Sequence, residues 1–160
     1  MRRWDVARKV SGEMNRSIRA MTISDYPSAF ALWRASEGVG LNESDTECAC
    51  GLFLARNPGL SAVALAADGT LAGVLLCGHD GRRGYLHHLA VASSHRKQGI
   101  ARRLIDWCFE RLAAERIQKC NVFLFNDNVD GGSFWRHNGW QQRADLQVLQ
   151  RLVSPISSGE

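Results

Sequence analysis

Leu89-Ala90-Val91-Ala92-Ser93-Ser94-His95-Arg96-Lys97-Gln98-Gly99-Ile100-Ala101-Arg102-Arg103-Leu104 is the stretch that decides the fold. An apolar run ends at Val91, a short polar loop follows, and a helical period then begins. Ile100, Leu104, Trp107, Cys108 and Leu112 line one face of that helix, with Arg102, Arg103, Asp106, Glu110 and Arg111 on another. Gly99 and the small Ala101 let backbone amides come close to an anion. The helix start turns its free N–H groups and positive dipole end toward the same place. Arg96 and Lys97 add full charges, so the loop has the physical character of a pyrophosphate cradle. It lacks the Gly-Lys-Ser/Thr of a nucleotide P-loop and the G-x-G-x-x-G of a dinucleotide fingerprint.

Working outward, Tyr85 to Val91 reads as a strand preceded by the polar turn Gly78 to Gly84. Ser61 to Ala67 and Thr70 to Cys77 read as a hairpin closed by Asp68-Gly69. Toward the N-terminus, Ser17 to Thr22 opens a sheet. Asp25 to Ser36 reads as a helix capped by Ser24, and Ser44 to Arg56 as a second, with Ser44 as cap and Glu47 at capping-box spacing. Toward the C-terminus come a strand over Lys119 to Phe125, a short helix over Asn128 to Asn138, and one or two closing strands over Trp140 to Val153. The result is an α/β (α+β) domain with a mixed, mostly antiparallel central sheet of six to seven strands and about four helices.

The bulk numbers agree with one soluble, cytoplasmic domain. The 160 residues are 45% hydrophobic and 22% charged, ordinary for a globular chain. No apolar run approaches the roughly 18 residues of a membrane span, and no secretory signal opens the sequence. The net charge of +4 is local: Arg2, Arg3, Arg8, Lys9, Arg16 and Arg19, against Asp5 and Glu13, account for all of it. Residues 1–16 are therefore read as a flexible basic extension, 17–155 as the domain and 156–160 as a tail. A neutral domain without helix-turn-helix, aromatic platform or zinc-finger spacing disfavours nucleic acid as partner. Cys48, Cys50, Cys77, Cys108 and Cys120 form no C-x-x-C pair and read as reduced, mostly buried thiols. No metal is expected, and on a regular strand His87 and His88 point to opposite faces.

The order L-A-V, loop, R-x-x-G-x-A and amphipathic helix resembles motif A of the GNAT superfamily of N-acetyltransferases. A second signature, Asn128 to Trp140 with Phe134-Trp135-Arg136-His137-Asn138-Gly139-Trp140, resembles the family's N-x(6)-Y-x-x-x-G-F element. The resemblance runs from about Ser17 to Val153. It implies acetyl transfer from acetyl-CoA to a primary amine by direct attack in a ternary complex, with no metal. It implies a cleft where the strand at 85–91 splays from the next one. Leu89, Ala90 and Val91 would face the acetyl group and pantetheine. Arg96, Lys97, Gln98, Gly99, Ile100, Ala101 and Arg102 would hold the pyrophosphate, and Asn128 and Trp135 would touch the cofactor arm.

Tyr85 and His87 share a strand face, and some aralkylamine-acetylating members carry histidines at the matching positions, which makes His87 the expected base. The family's usual acid, a tyrosine, is replaced here by Trp135, whose indole cannot release its proton at useful pH. Tyr85, water or solvent is left to protonate the thiolate. The acceptor wall would include Trp33, Glu37 and Glu43, suited to a cationic small-molecule or protein amine. Superfamily members often dimerise, so a homodimer is among the expectations. The competing readings are a non-catalytic coenzyme A-binding module and, from the basic arm, a nucleic-acid-binding protein.

Overall fold

The structure is a computed structural model that describes residues 17–154. The basic arm, residues 1–16, and the tail from 155 lie outside the described residues, as do the readings that rest on them. Of the described residues, those up to Phe125 form one compact unit and those from Asn126 another. The first contains β1 (Ser17–Ala20), α1 (Tyr26–Arg34), α2 (Glu47–Arg56), β2 (Ala62–Leu65), β3 (Leu71–His79), β4 (Gly84–Val91), α3 (Ile100–Ala114) and β5 (Cys120–Val122). The second contains α4 (Val129–His137). None of the described helices is long and apolar enough to cross a membrane.

The first two helices begin later than Ser24 and Ser44 suggest, each behind a single 3-10 turn. At the first, the Asp25 carboxylate accepts from the Thr22 N–H at 2.9 Å and pairs with Arg19 at 2.8 Å, closing a turn over Ile23–Asp25 before α1 starts with proline in its first turn. At the second, Asn42 and Asp45 bracket the turn Glu43–Asp45, and Thr46 then caps α2 by accepting from Ala49 N–H at 3.2 Å. Thr46 is extended, which breaks the helical run that the capping-box spacing suggested.

Among the described residues the sheet has five strands in the order β1-β2-β3-β4-β5, fewer than the six to seven expected. The first four are antiparallel neighbours and β5 joins β4 in parallel. The shortfall lies at the C-terminal end, where the closing strands expected over Trp140 to Val153 are not formed. Leu146, Val148, Leu149 and Val153 are exposed. An apolar alternation becomes a strand only where a neighbour takes its N–H and C=O groups, and no ladder reaches this stretch.

Each face of the sheet carries its own core. Met21, Tyr26, Ala29, Trp33, Cys50, Val63, Val74, Leu76 and Ala90 pack together on the side of α1 and α2. Ile100, Leu104, Cys108 and Leu112 of α3 are buried on the other. Gly73 on β3 permits that second contact: a Cβ there would lie 2.9 Å from Ile100 Cγ2 and 3.1 Å from Leu104 Cδ1. The cysteine reading holds in outline, with Cys50, Cys77 and Cys108 buried, Cys120 half-buried, Cys48 exposed and every thiol free.

Candidate active site

The ladder between β3 and β4 carries a fault at the position that matters most. Val74 pairs with Ala90 and Leu76 with His87, so the single residue Leu75 stands opposite two, His88 and Leu89. This is a β-bulge, and His88 takes the left-handed backbone with φ 54°. The expectation that His87 and His88 face opposite sides is therefore corrected. His87 packs edge-on against Phe53 of α2 at 6.1 Å, and His88 sits beside Trp33 of α1 at 5.3 Å. The extra residue turns both rings toward the same pair of helices. His88 Nε2 is held by Asp45 Oδ1 at 2.6 Å. Among the described residues no group of three or more His, Cys, Asp or Glu side chains is placed to hold a metal ion.

Tyr85 and His87 do share a face, their rings 9° from parallel with centroids 6.4 Å apart, and Tyr85 continues onto Phe123 at 6.1 Å. Burial holds the His87 imidazole below its ordinary value; the neighbouring His88 adds to this and Asp45 opposes it. His87 and Tyr85 border an open pocket of about 220 Å³ whose other walls include Phe53, Arg56, Asn57 and His79. Asn57 is buried and anchors this corner by accepting from the His79 N–H at 3.0 Å.

The outer edge of β4 is covered only in part. β5 pairs with Gly84, Tyr85 and Leu86, and the ladder ends there. β5 ends at Val122, so from His87 to Val91 no β5 residue pairs with the backbone on that side. Leu89 and Val91 are half-buried along this edge, whereas Ala90 is buried in the α1 core.

Beyond Val91 the chain passes a 3-10 turn, Ser93–His95, and enters the basic loop. Lys97 has φ 58° and Gly99 φ 76°, two left-handed residues bracketing Gln98. Such a turn gathers successive N–H groups on its concave side. Arg96 Nε reaches back to the Val91 carbonyl at 3.4 Å. No side chain caps α3, whose first internal bond runs from Arg103 N–H to Gly99 O at 3.1 Å. Lys97, Gln98, Gly99 and Arg102 are exposed, Ala101 is half-buried, and Ile100 is buried beneath the loop as its anchor. These residues fit a diphosphate: uncapped helix amides, a left-handed turn and flanking cations converge.

The remaining residues read from the sequence are placed elsewhere. Trp33 is 1% exposed and its indole N–H donates to the His88 carbonyl at 2.9 Å, so it supports β4 from below and offers no surface to an acceptor. Glu37 and Glu43 are exposed and do not line the pocket beside His87. In the second unit, Asn128 caps α4 by accepting from Gly131 N–H at 2.9 Å, and Trp135 is buried edge-on against Trp140 at 4.7 Å. Sequence reasoning did not single out Phe53, Arg56 and Asn57 as a wall. Their spacing of three and four residues on one helix was the available signal.

Residues 24–140 match the Acetyltransferase (GNAT) family. An acetyltransferase of Yersinia pestis (strain Pestoides F) is 30% identical over 136 residues, covering 85% of this chain and 95% of that protein. Among solved structures, Ard1 from Thermoplasma volcanium superposes with a TM-score of 0.71 at 17% identity, over 81% of this chain and 84% of the other. The PaiA N-acetyltransferase of Thermoplasma acidophilum, in complex with coenzyme A, gives a TM-score of 0.70 at 20% identity, over 80% and 91%. The five-stranded sheet with its bulged fourth strand and basic loop, and the match over 24–140, agree: the chain belongs to the GNAT acetyltransferase family.

Proposed function

We propose that this protein transfers the acetyl group of acetyl-CoA to a primary amine by direct attack in a ternary complex. The observation that carries the reading is the continuity of one segment. His87 borders a pocket, the open edge of β4 follows it, and the left-handed loop at the start of α3 comes next.

In this reading the amides from Lys97 to Arg102, with Arg96 and Lys97, hold the diphosphate. The free edge from Leu89 to Val91 lies alongside the pantetheine arm. The bound cosubstrate supplies an activated thioester. The Leu89 N–H is assigned to the thioester carbonyl oxygen, where a preorganised donor contributes about 3 kcal/mol. An alkyl amine is mostly protonated at neutral pH and must lose a proton before it attacks. His87, kept neutral by burial and open to the pocket, receives that proton directly or through water. Tyr85, whose ring stacks beside His87, is assigned the return of a proton to the departing thiolate.

A thiol-release screen with acetyl-CoA across small amines, amino acids, and peptide N-termini and lysines tests the reading, run beside His87→Ala and Tyr85→Phe. Turnover with at least one class, falling by about 10²-fold or more in His87→Ala, is expected. Undiminished turnover in His87→Ala removes the base. Trp135 at the place of the family's usual tyrosine favours a second reading, a coenzyme A-binding module without catalysis. Tight coenzyme A binding with no thiol released from any amine would select it.

A further inference from the structure

The bulge in β4 is held from two directions by residues far away in sequence. Its carbonyl, His88 O, accepts from the Trp33 indole N–H at 2.9 Å, and its ring bonds Asp45 at 2.6 Å. Asp45 is itself fixed: its other carboxylate oxygen accepts from Asn42 N–H at 2.8 Å, and its carbonyl accepts from the Tyr26 hydroxyl at 2.7 Å. A histidine in the left-handed region is unfavourable and persists only where the surroundings over-determine it. Here α1 grips the backbone of residue 88 and the 3-10 turn before α2 grips its side chain.

The reason for gripping this residue lies in the two-residue period of a strand. Tyr85 and His87 face α1 and α2, and so does Ala90, which is possible only because His88 inserts an extra step. Without the bulge, Leu89 would take that face, Ala90 would leave the core, and everything between His87 and the basic loop would change sides. We propose that Asp45, His88 and Trp33 form a clamp that positions the catalytic strand, fixing the offset between the His87 ring and the Leu89 amide. They act through β4 and touch no reacting atom. The role in turnover rests on the acetyl-transfer reading above, while the hold on the strand does not.

The experiment compares Trp33→Phe, which removes the indole N–H together with part of the buried ring, with Asp45→Asn, His88→Asn and His88→Val in the full chain. Backbone hydrogen exchange is followed residue by residue, alongside kcat and the KM for acetyl-CoA. In Trp33→Phe and Asp45→Asn, exchange from His87 to Val91 should quicken about tenfold or more while β2 and α3 stay within about twofold. Turnover should fall about tenfold or more, as a small misplacement near reacting groups does, with the KM for acetyl-CoA changed less than kcat. His88→Asn, which tolerates the left-handed backbone but loses the ring's bond to Asp45, should fall about as far as Asp45→Asn, and β-branched His88→Val, which loses the bond and resists that backbone, should fall further.

Exchange and kcat within twofold of wild type in both Trp33→Phe and Asp45→Asn would overturn the clamp. Exchange that quickens equally in β2, β4 and α3 would overturn it too, leaving general stability only; should Asp45→Asn lose all elements together, Trp33→Phe decides. A wild-type protein that releases thiol with no amine sinks the acetyl-transfer reading, and the exchange measurements still judge the hold on β4.

Discussion

The His87 and Tyr85 rings lie 9° from parallel on one face of β4, with centroids 6.4 Å apart, and both border the same pocket. Burial, then the neighbouring His88, hold the His87 imidazole below its ordinary value of about 6.5, against the opposing effect of Asp45. The neutral, proton-accepting form therefore prevails at pH 7. The kcat profile should be flat near neutrality and fall on an acid limb lying below about pH 6.5. That limb should be missing from the residual activity of His87→Gln. An unchanged limb in the variant would assign it to another group.

The same shift makes a stability prediction of fixed sign. The unfolded chain binds a proton at His87 more readily than the folded one, so folding gains stability as pH rises through this window. The contribution is complete above about pH 6.5 and is lost as pH falls toward the lowered folded-state value. Between pH 7.5 and pH 5, thermal melts of the wild type should lose more than those of His87→Gln. Parallel losses would contradict the buried setting of this ring.

Gly99 has φ 76° at the entrance of α3, where a Cβ costs about 1–2 kcal/mol. Gly99→Ala should lower stability by that amount, or relax the loop and weaken coenzyme A binding about tenfold. Calorimetric titration with coenzyme A and urea unfolding together distinguish the two. A variant unchanged in both measurements would remove the left-handed turn from the binding argument.

At Gly73 the side chains of α3 press close on β3, with Ile100 Cγ2 2.9 Å from an added Cβ. Gly73→Val should push Ile100 outward and cost about 1–3 kcal/mol in urea unfolding. Because Ile100 anchors the basic loop, the KM for acetyl-CoA should rise as well. A stability loss with unchanged KM would show that the loop tolerates movement of its anchor.

The thiols should react in an order set by the fold. Cys48 is exposed, whereas burial, and secondarily Cys77, push the Cys120 thiol up to about 12. The Cys108 thiol is raised further by its hydrogen bond with Cys77 and by burial. Alkylation of the native protein at pH 8, read by mass spectrometry, should label Cys48 first and leave Cys50, Cys77 and Cys108 until the chain unfolds.

Much of this site was legible from local pattern. The basic loop, the helix after it and the hairpin before it each follow from short-range chemistry: glycine where the backbone must turn, a 3.6-residue apolar period, Asp-Gly between apolar runs. Tyr85 and His87 sharing a face follows from a period of two. What failed did so where a partner distant in sequence takes control. Trp33 read as an acceptor surface because an aromatic near carboxylates suits a cation, yet 55 residues later His88 O accepts its N–H. The caps moved from Ser24 and Ser44 because Asp25 and Asp45 close short turns first.

By itself, then, the sequence determined the basic loop from Arg96 to Arg102, the amphipathic α3 and the strand that precedes them, since each is specified by neighbours within a few residues. Only the tertiary structure decided the bulge at His88, because no local preference favours a left-handed histidine. It exists where Trp33 and Asp45, brought in by α1 and the turn before α2, hold it. That one extra residue turns two adjacent histidines to the same side and brings the open edge of β4 into line with the loop.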